Sequence, residues 1–210
     1  MDTLLSITGV GPQLAKKLAN LINLEGDIFE QLLNHRIYDD LPVASKAFLK
    51  YKPIQKVPRE FFTDLAKKVL IAGSFRREQP TINDLDILTD NYEKIADLFE
   101  KPYAQGEEVI RTYYAFYKPI FGEKKNDNSE SKKVYIAVDI FIYKDLAPYL
   151  LYATGSKQFN VIMRGIAKKK GYVLNQNGLF QGSEKIKTKT EEDIFKILGM
   201  NYLEPKKRNL

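Results

Sequence analysis

Asp84 and Asp86 stand two residues apart at the start of the strand-like run Leu85–Leu88. Alternate residues of a strand face the same side, so both carboxylates can grip one metal site. Two like charges that close repel, and the arrangement is costly without a cation between them. A third carboxylate is expected from a neighbouring strand. Asp139 fits, because it interrupts the apolar run Ile136-Ala-Val-Asp-Ile-Phe-Ile142, and a charge is rarely buried unpaired. In that run Val138, Ile140 and Ile142 face one way, and Tyr135, Ala137, Asp139 and Phe141 the other. Upstream, Gly73-Ser-Phe-Arg-Arg77 follows the short apolar run Val69–Ala72. Glycine lets a phosphate approach the backbone, and a helix start offers free N–H groups to it. Ser74 adds a hydroxyl, and Arg77 adds a planar fork that matches phosphate oxygens. Three carboxylates beside a phosphate cradle imply phosphoryl or nucleotidyl transfer. One metal would lower the pKa of a sugar 3′-hydroxyl, and a second would hold a triphosphate.

Each piece alone is ordinary. In a chain that is 29% charged, a bare Asp-x-Asp is usually surface decoration, and a Gly-Ser pair is usually a turn. The specificity lies in the order: strand, Gly-Ser, short helix, Asp-x-Asp, then a late strand aspartate.

The rest of the composition narrows the chemistry. The 210 residues contain no cysteine and one histidine, His35. That excludes a disulfide framework and a thiolate zinc site, and disfavours a Ser-His-Asp triad. Metal would sit on carboxylates, which suits hard ions such as magnesium. No apolar run approaches a membrane span, and the N-terminus lacks a signal-peptide pattern. The formal charge is +6, yet residues 155–210 alone carry 12 Lys and Arg against 5 Asp and Glu. A basic C-terminal third points to a polyanion, with nucleic acid first. The Lys206-Lys-Arg208 end is expected on a DNA-facing surface, with a nuclear signal as the alternative.

The elements that must position these residues follow from periodicity. Residues 1–57 read as helical, with Leu14, Leu18, Leu21 and Ile22 at helical spacing, as are Phe29, Leu32 and Leu33. Val69–Ala72, Leu85–Leu88, Val109–Tyr117 and Val134–Ile142 read as strands. Asn91–Glu100 reads as a helix between two of them, and the polar stretch Gly122–Lys133 as a hairpin loop. Residues 148–172 turn helical, and a last helix at Glu191–Leu198 has Thr190 as its N-cap and Gly199 as its stop. The fold class is mixed α+β.

Several segments together resemble DNA polymerase family X. Gly73 to Asp86 is similar to the nucleotidyltransferase signature. Leu151-Tyr-Ala-Thr-Gly-Ser-Lys-Gln-Phe-Asn160, with Met163-Arg164, resembles the family's Tyr-Phe-Thr-Gly-Ser motif with its downstream asparagine and arginine. Gly171–Phe180 resembles the next hairpin. Glu191–Gly199, with Tyr202, Glu204, Pro205 and Arg208, resembles the family's C-terminal end, and Val57–Glu60 the start of its palm. Ile7-Thr-Gly9-Val-Gly11 through Leu18 is similar to a helix–hairpin–helix motif.

The resemblance implies three subdomains. Residues 1–57 form a helical, fingers-like DNA-binding part, 58–147 a nucleotidyltransferase palm with a mixed sheet, and 148–210 a nucleotide- and template-binding α/β part. It implies a DNA-directed DNA polymerase that adds dNTPs to a primer 3′-OH, with short-gap filling in base excision repair. Asp84, Asp86 and Asp139 would hold two magnesium ions, with manganese as a substitute, and Asp139 would act as the base. Gly73, Ser74 and Arg77, with Arg59, would hold the triphosphate. Tyr152 and Gly155 would line the sugar, Asn160 would meet the incoming base, and Arg164 the template. Gly9 and Gly11, with Lys16, would meet a DNA phosphate through freed backbone N–H groups. The carbonyls of Leu5, Ile7 and Val10 would hold a sodium or potassium ion. The implied partners are gapped or primer–template DNA and dNTPs, with a DNA ligase or AP endonuclease as companions. The protein would be a monomer away from membranes. No counterpart of the lyase and BRCT domains of longer relatives is expected, an economy resembling the family X enzymes of large DNA viruses. That places it inside the cell, in host cytoplasm or nucleus, or in a virion.

The pattern also departs from the family. Glu78 and Asn83 stand where glycines are usual, and Ala153 replaces a phenylalanine. Lys157 stands where some relatives carry an acid. Ala137 and Phe141 replace basic residues that flank the third aspartate. Two rival readings keep part of the pattern. A template-independent or RNA-directed nucleotidyltransferase shares the carboxylates, and a non-catalytic DNA-binding module shares the hairpin and the basic face.

Overall fold

The computed structural model describes residues 2–119 and 131–210. The expected hairpin loop therefore falls largely outside the described residues.

The chain begins with four helices: α1 (Asp2–Leu5), α2 (Pro12–Ala19), α3 (Ile28–Asn34) and α4 (Val43–Tyr51). Pro12 opens α2, where its missing N–H would have had no partner in any case. The helix stops at Ala19, earlier than the apolar spacing suggests, and Leu21 is exposed beyond it. Leu4, Ile7, Leu18, Leu32 and Leu49 fill a core of their own.

The middle of the chain builds β1 (Val57–Pro58), β2 (Leu70–Ile71), α5 (Gly73–Arg76), β3 (Thr81–Ile82), β4 (Asp84–Thr89), β5 (Ala104–Gln105), β6 (Val109–Pro119) and β7 (Ser131–Ile142). Five strands form one sheet in the order β2-β4-β7-β6-β5. Strand β4 is parallel to β7, and the other pairings are antiparallel, so the sheet is mixed. Leu85, Ile87, Ile136, Val138 and Ile140 are buried on one face against Phe62 and Leu65. Each such side chain contributes about 1.5–3 kcal/mol on burial. A slip of one residue would turn this set to the opposite face, so the register is firmly held. That fixes Asp84, Asp86 and Asp139 on the other face.

Asn91–Glu100 is not one helix. It forms two 3₁₀ turns, Tyr92–Lys94 and Ala96–Leu98. The segment is tied at its far end, where the Glu100 N–H donates to the Tyr113 carbonyl. A 3₁₀ turn rises about 2.0 Å per residue against about 1.5 Å for an α-helix, so it spans a stretched connection better.

The last part holds α6 (Leu146–Thr154), α7 (Lys157–Lys169), β8 (Tyr172–Asn175), β9 (Gly178–Gln181), β10 (Glu184–Ile186) and α8 (Glu191–Ile197). The helical reading of 148–172 breaks at Gly155, which has φ +66°, and Ser156 then caps α7 by accepting from the Phe159 N–H. Thr190 caps α8 as expected, in a capping box with Asp193. Leu151, Phe159, Met163, Ile194 and Phe195 are buried together.

One charged network ties this part to the middle of the chain. Glu191 accepts from Arg76 Nη2 at 2.7 Å and from Arg208 Nη1 at 2.8 Å. Arg208 is fully buried, with the rings of Phe159, Phe195 and Tyr202 about it. This corrects the expectation that the whole Lys206–Arg208 end faces DNA. A guanidinium matched to a carboxylate and three rings is satisfied inside. Burial works against the charge on Glu191, but the bonds from Arg76 and Arg208 prevail and hold its carboxyl below the ordinary 4.5. Its stabilising effect is therefore complete above that pH and is lost as the pH falls below it. Urea unfolding should show stability dropping below pH 4.5 and Glu191→Ala losing about 3–5 kcal/mol at neutral pH, because the buried Arg208 and the half-buried Arg76 lose their partner.

Candidate active site

The aspartate face is assembled by register. Asp86 on β4 lies directly opposite Asp139 on β7, and Asp84 lies opposite Ala137. On the far side of β7, Arg111 on β6 lies opposite Asp139, with its Nε 3.3 Å from Asp139 Oδ1.

The turn into α5 is fitted to this face. Strand β2 pairs with β4, and the Ala72 N–H donates to the Asp86 carbonyl at 2.7 Å. The chain then turns at Gly73 with φ +54°, and a Cβ there would lie 1.8 Å from Asp86 Oδ2. Glycine is required here twice over, by the backbone conformation and by the carboxylate packed against it. Phe75 anchors α5 in the core, and Ser74 lies half-buried beside it.

The electrostatics are those of crowded acids. Burial pushes the Asp86 carboxyl up to about 7, with Asp84 and then Asp139 adding to the shift and Arg77 opposing it. Burial also raises Asp84, against the pull of Arg77, and raises Asp139, against the pull of Arg111. Such a face favours a cation. All three donors are hard oxygens of the kind that suits magnesium. The residues present thus fit a divalent metal in their chemistry. Among the described residues no three acidic or imidazole side chains already converge on one point, and Asp139 pairs with Arg111 instead.

A cleft of about 460 Å³ opens beside Asp86. Of the residues singled out in the sequence, Arg77, Asp86, Tyr152, Gly155, Asn160 and Arg164 line it together, with Lys157 and Phe141. Arg77 crosses to the C-terminal part, donating to the Thr154 carbonyl at 2.5 Å and to Asn209 Oδ1 at 2.8 Å. A Cβ on Gly155 would lie 3.2 Å from Arg77 Nη1, so this glycine leaves room for the guanidinium. Asn160 Nδ2 donates to the Tyr152 carbonyl at 2.8 Å, and the Arg164 guanidinium sits 5.5 Å from the Tyr152 ring centroid.

Other expected residues lie elsewhere. Arg59 is not in the cleft. Its Nε donates to the Phe75 carbonyl, and its guanidinium stacks 4.1 Å from the Phe75 ring centroid, so it braces α5. At the N-terminal hairpin Gly9 has φ +84° and meets Ser45 of α4, whose hydroxyl donates to the Thr8 carbonyl. Gly11 has φ −85° and open space around it, so neither conformation nor crowding demands glycine there. The Ile7 carbonyl accepts from the Val10 N–H, and Lys16 is exposed. Asn83 has a task of its own, accepting from the Lys56 N–H at 3.1 Å.

Two arginines escaped the sequence reading. Arg76 reaches Glu191, and Arg111 reaches Asp139. Arg76 follows from the Arg-Arg pair, because neighbours on a helix point apart. Nothing in the sequence marks Arg111, because its role depends on cross-strand register.

Known proteins resemble the chain in sequence and in fold. A family profile described as the DNA polymerase beta thumb matches residues 149–209. The Repair DNA polymerase X of African swine fever virus (isolate Tick/South Africa/Pretoriuskop Pr4/1996) is 34% identical over 149 residues, covering 69% of this chain and 83% of the viral protein. The chain belongs to DNA polymerase family X. It is therefore a DNA-directed DNA polymerase, and the compact viral type expected from the sequence is the type it matches. DNA polymerase lambda of Rattus norvegicus is 24% identical over 229 residues, covering 92% of this chain but 38% of the longer enzyme. The solved polymerase beta of Leishmania infantum, in a ternary P/T complex, shares the fold. Its TM-score is 0.67 at 24% identity, over 99% of this chain and 97% of that one.

The fit of Gly73 to Asp86 yields a prediction. Gly73→Ala should lower nucleotide incorporation by about 100-fold, because it displaces the carboxylate by an ångström or more. Its cost in stability should exceed about 1 kcal/mol, since alanine resists a positive φ. Paired incorporation and unfolding assays would show both.

Proposed function

We propose that this family X polymerase fills short gaps in duplex DNA, adding deoxynucleotides to a primer 3′-OH with two divalent ions. The observation that carries the reading is the single sheet face holding Asp84, Asp86 and Asp139 beside the Gly73 turn and Arg77. Magnesium, when bound, would make the primer hydroxyl a better nucleophile and neutralise charge on the triphosphate and leaving pyrophosphate.

The chain's own residues do the rest. Asp84, Asp86 and Asp139 would hold the ions, and Asp139 would also take the proton of the 3′-hydroxyl on a carboxylate oxygen. Arg77 and Ser74 meet phosphate oxygens, and the Gly73 turn lets the triphosphate come close to the backbone. Tyr152 and Gly155 shape the sugar pocket, Asn160 meets the base and Arg164 the template strand. The Gly9 hairpin, with Lys16, grips the DNA backbone without reading sequence. Gapped duplexes of the kind left in base excision repair suit a protein with two separate DNA contacts, one at each end of the chain.

Single-nucleotide incorporation on a one-nucleotide gap with magnesium tests the reading. Asp139→Asn should lower the rate by about 10³-fold, while gap binding remains. Binding without incorporation by the unmutated protein would contradict it.

A further inference from the structure

Asp139 has opposite charges on its two sides. Across the sheet it faces Asp86 on β4 and Arg111 on β6. On its own strand, the positions two before and two after share its face, and they hold Ala137 and Phe141. Neither carries charge. On β6 the same face continues as Val109 and Tyr113, and the nearby Tyr103 ring stacks on Tyr113 at 5.2 Å. Arg77 acts on Asp84 and Asp86. Among the described residues, Arg111 is thus the cation set against Asp139.

Stability does not account for the pair. The two side chains are 51% and 40% exposed, and open ion pairs contribute about 0–1 kcal/mol. Direction does account for it. Asp86 repels the Asp139 carboxylate and Arg111 attracts it, so the carboxylate is drawn to one edge of the aspartate face.

We propose that Arg111 is a positioning residue that aims Asp139 for the reaction. It supplies from the adjacent strand the positive charge that Ala137 and Phe141 leave out of Asp139's own strand. The inference rests on the gap-filling reading above.

Single-turnover incorporation on gapped duplex, at saturating dNTP and magnesium, separates the outcomes. The proteins compared are the unmutated chain, Arg111→Met, Arg111→Lys, and Arg111→Met combined with Ala137→Arg. Melting temperature and DNA affinity are measured on each. Arg111→Met should lower the maximal rate by about tenfold or more, with melting temperature and DNA affinity little changed. Arg111→Lys should recover part of the loss. The added Ala137→Arg should recover most of it, because it returns the charge from a different strand. An unchanged rate in Arg111→Met would overturn the proposal, as would a loss that neither lysine nor the relocated arginine restores. An unmutated protein that adds no nucleotide overturns the gap-filling reading, and this inference with it. An active protein indifferent to Arg111→Met overturns the inference alone.

Discussion

The Asp86 carboxylate lies against the backbone of Gly73, with no room for even one more carbon between them. Much of the site follows from that contact. Strand β2 must end where it does, so that the Ala72 N–H can reach the Asp86 carbonyl. The chain must turn through a positive φ, so that α5 rises beside the carboxylate instead of over it. Arg77 then leaves α5 on the side of the acids, and Arg76 leaves it on the side of Glu191. A single turn of helix thus sends one arginine toward the acids and the other toward Glu191.

The second constraint is repulsion among like charges. Three carboxylates share one face because the alternate residues of the same strands are needed in the core. The hydrophobic face is worth far more than the electrostatic cost, so burial decides the register and the acids accept their crowding. The cost appears in Asp86, which burial and its acidic neighbours push up to about 7. Arg77 eases the crowding at Asp84 and Asp86, and Arg111 eases it at Asp139. A divalent ion would relieve it further, which is how a structurally unfavourable face becomes a useful one.

The legible parts of this molecule are those governed by local pattern. The period-two alternation in Ile136–Ile142 placed Asp139, and Asp-x-Asp placed Asp84 and Asp86 on one side of β4. The glycine turn, the Thr190 cap and the stop at Gly199 are likewise local. The illegible parts depend on contacts between distant segments. Arg111 matters only because β6 pairs with β7 in a particular register. Arg208 sits in a run of basic residues that reads as surface, yet α8 and three rings close over it. Arg59 is drawn to the Phe75 ring and carbonyl, which no spacing reveals. The Asn91–Glu100 segment has helix-forming residues, but its far end is fixed by the sheet, and the end decides.

We propose above that the three aspartates act together as one metal site. Anomalous diffraction would test it directly, from crystals grown with gapped DNA, a non-hydrolysable dNTP and manganese. Manganese peaks are expected within about 2 Å of carboxylate oxygens on Asp84, Asp86 and Asp139, with the triphosphate beside Gly73. Manganese bound elsewhere, with no metal on Asp84, Asp86 or Asp139, would contradict that assignment.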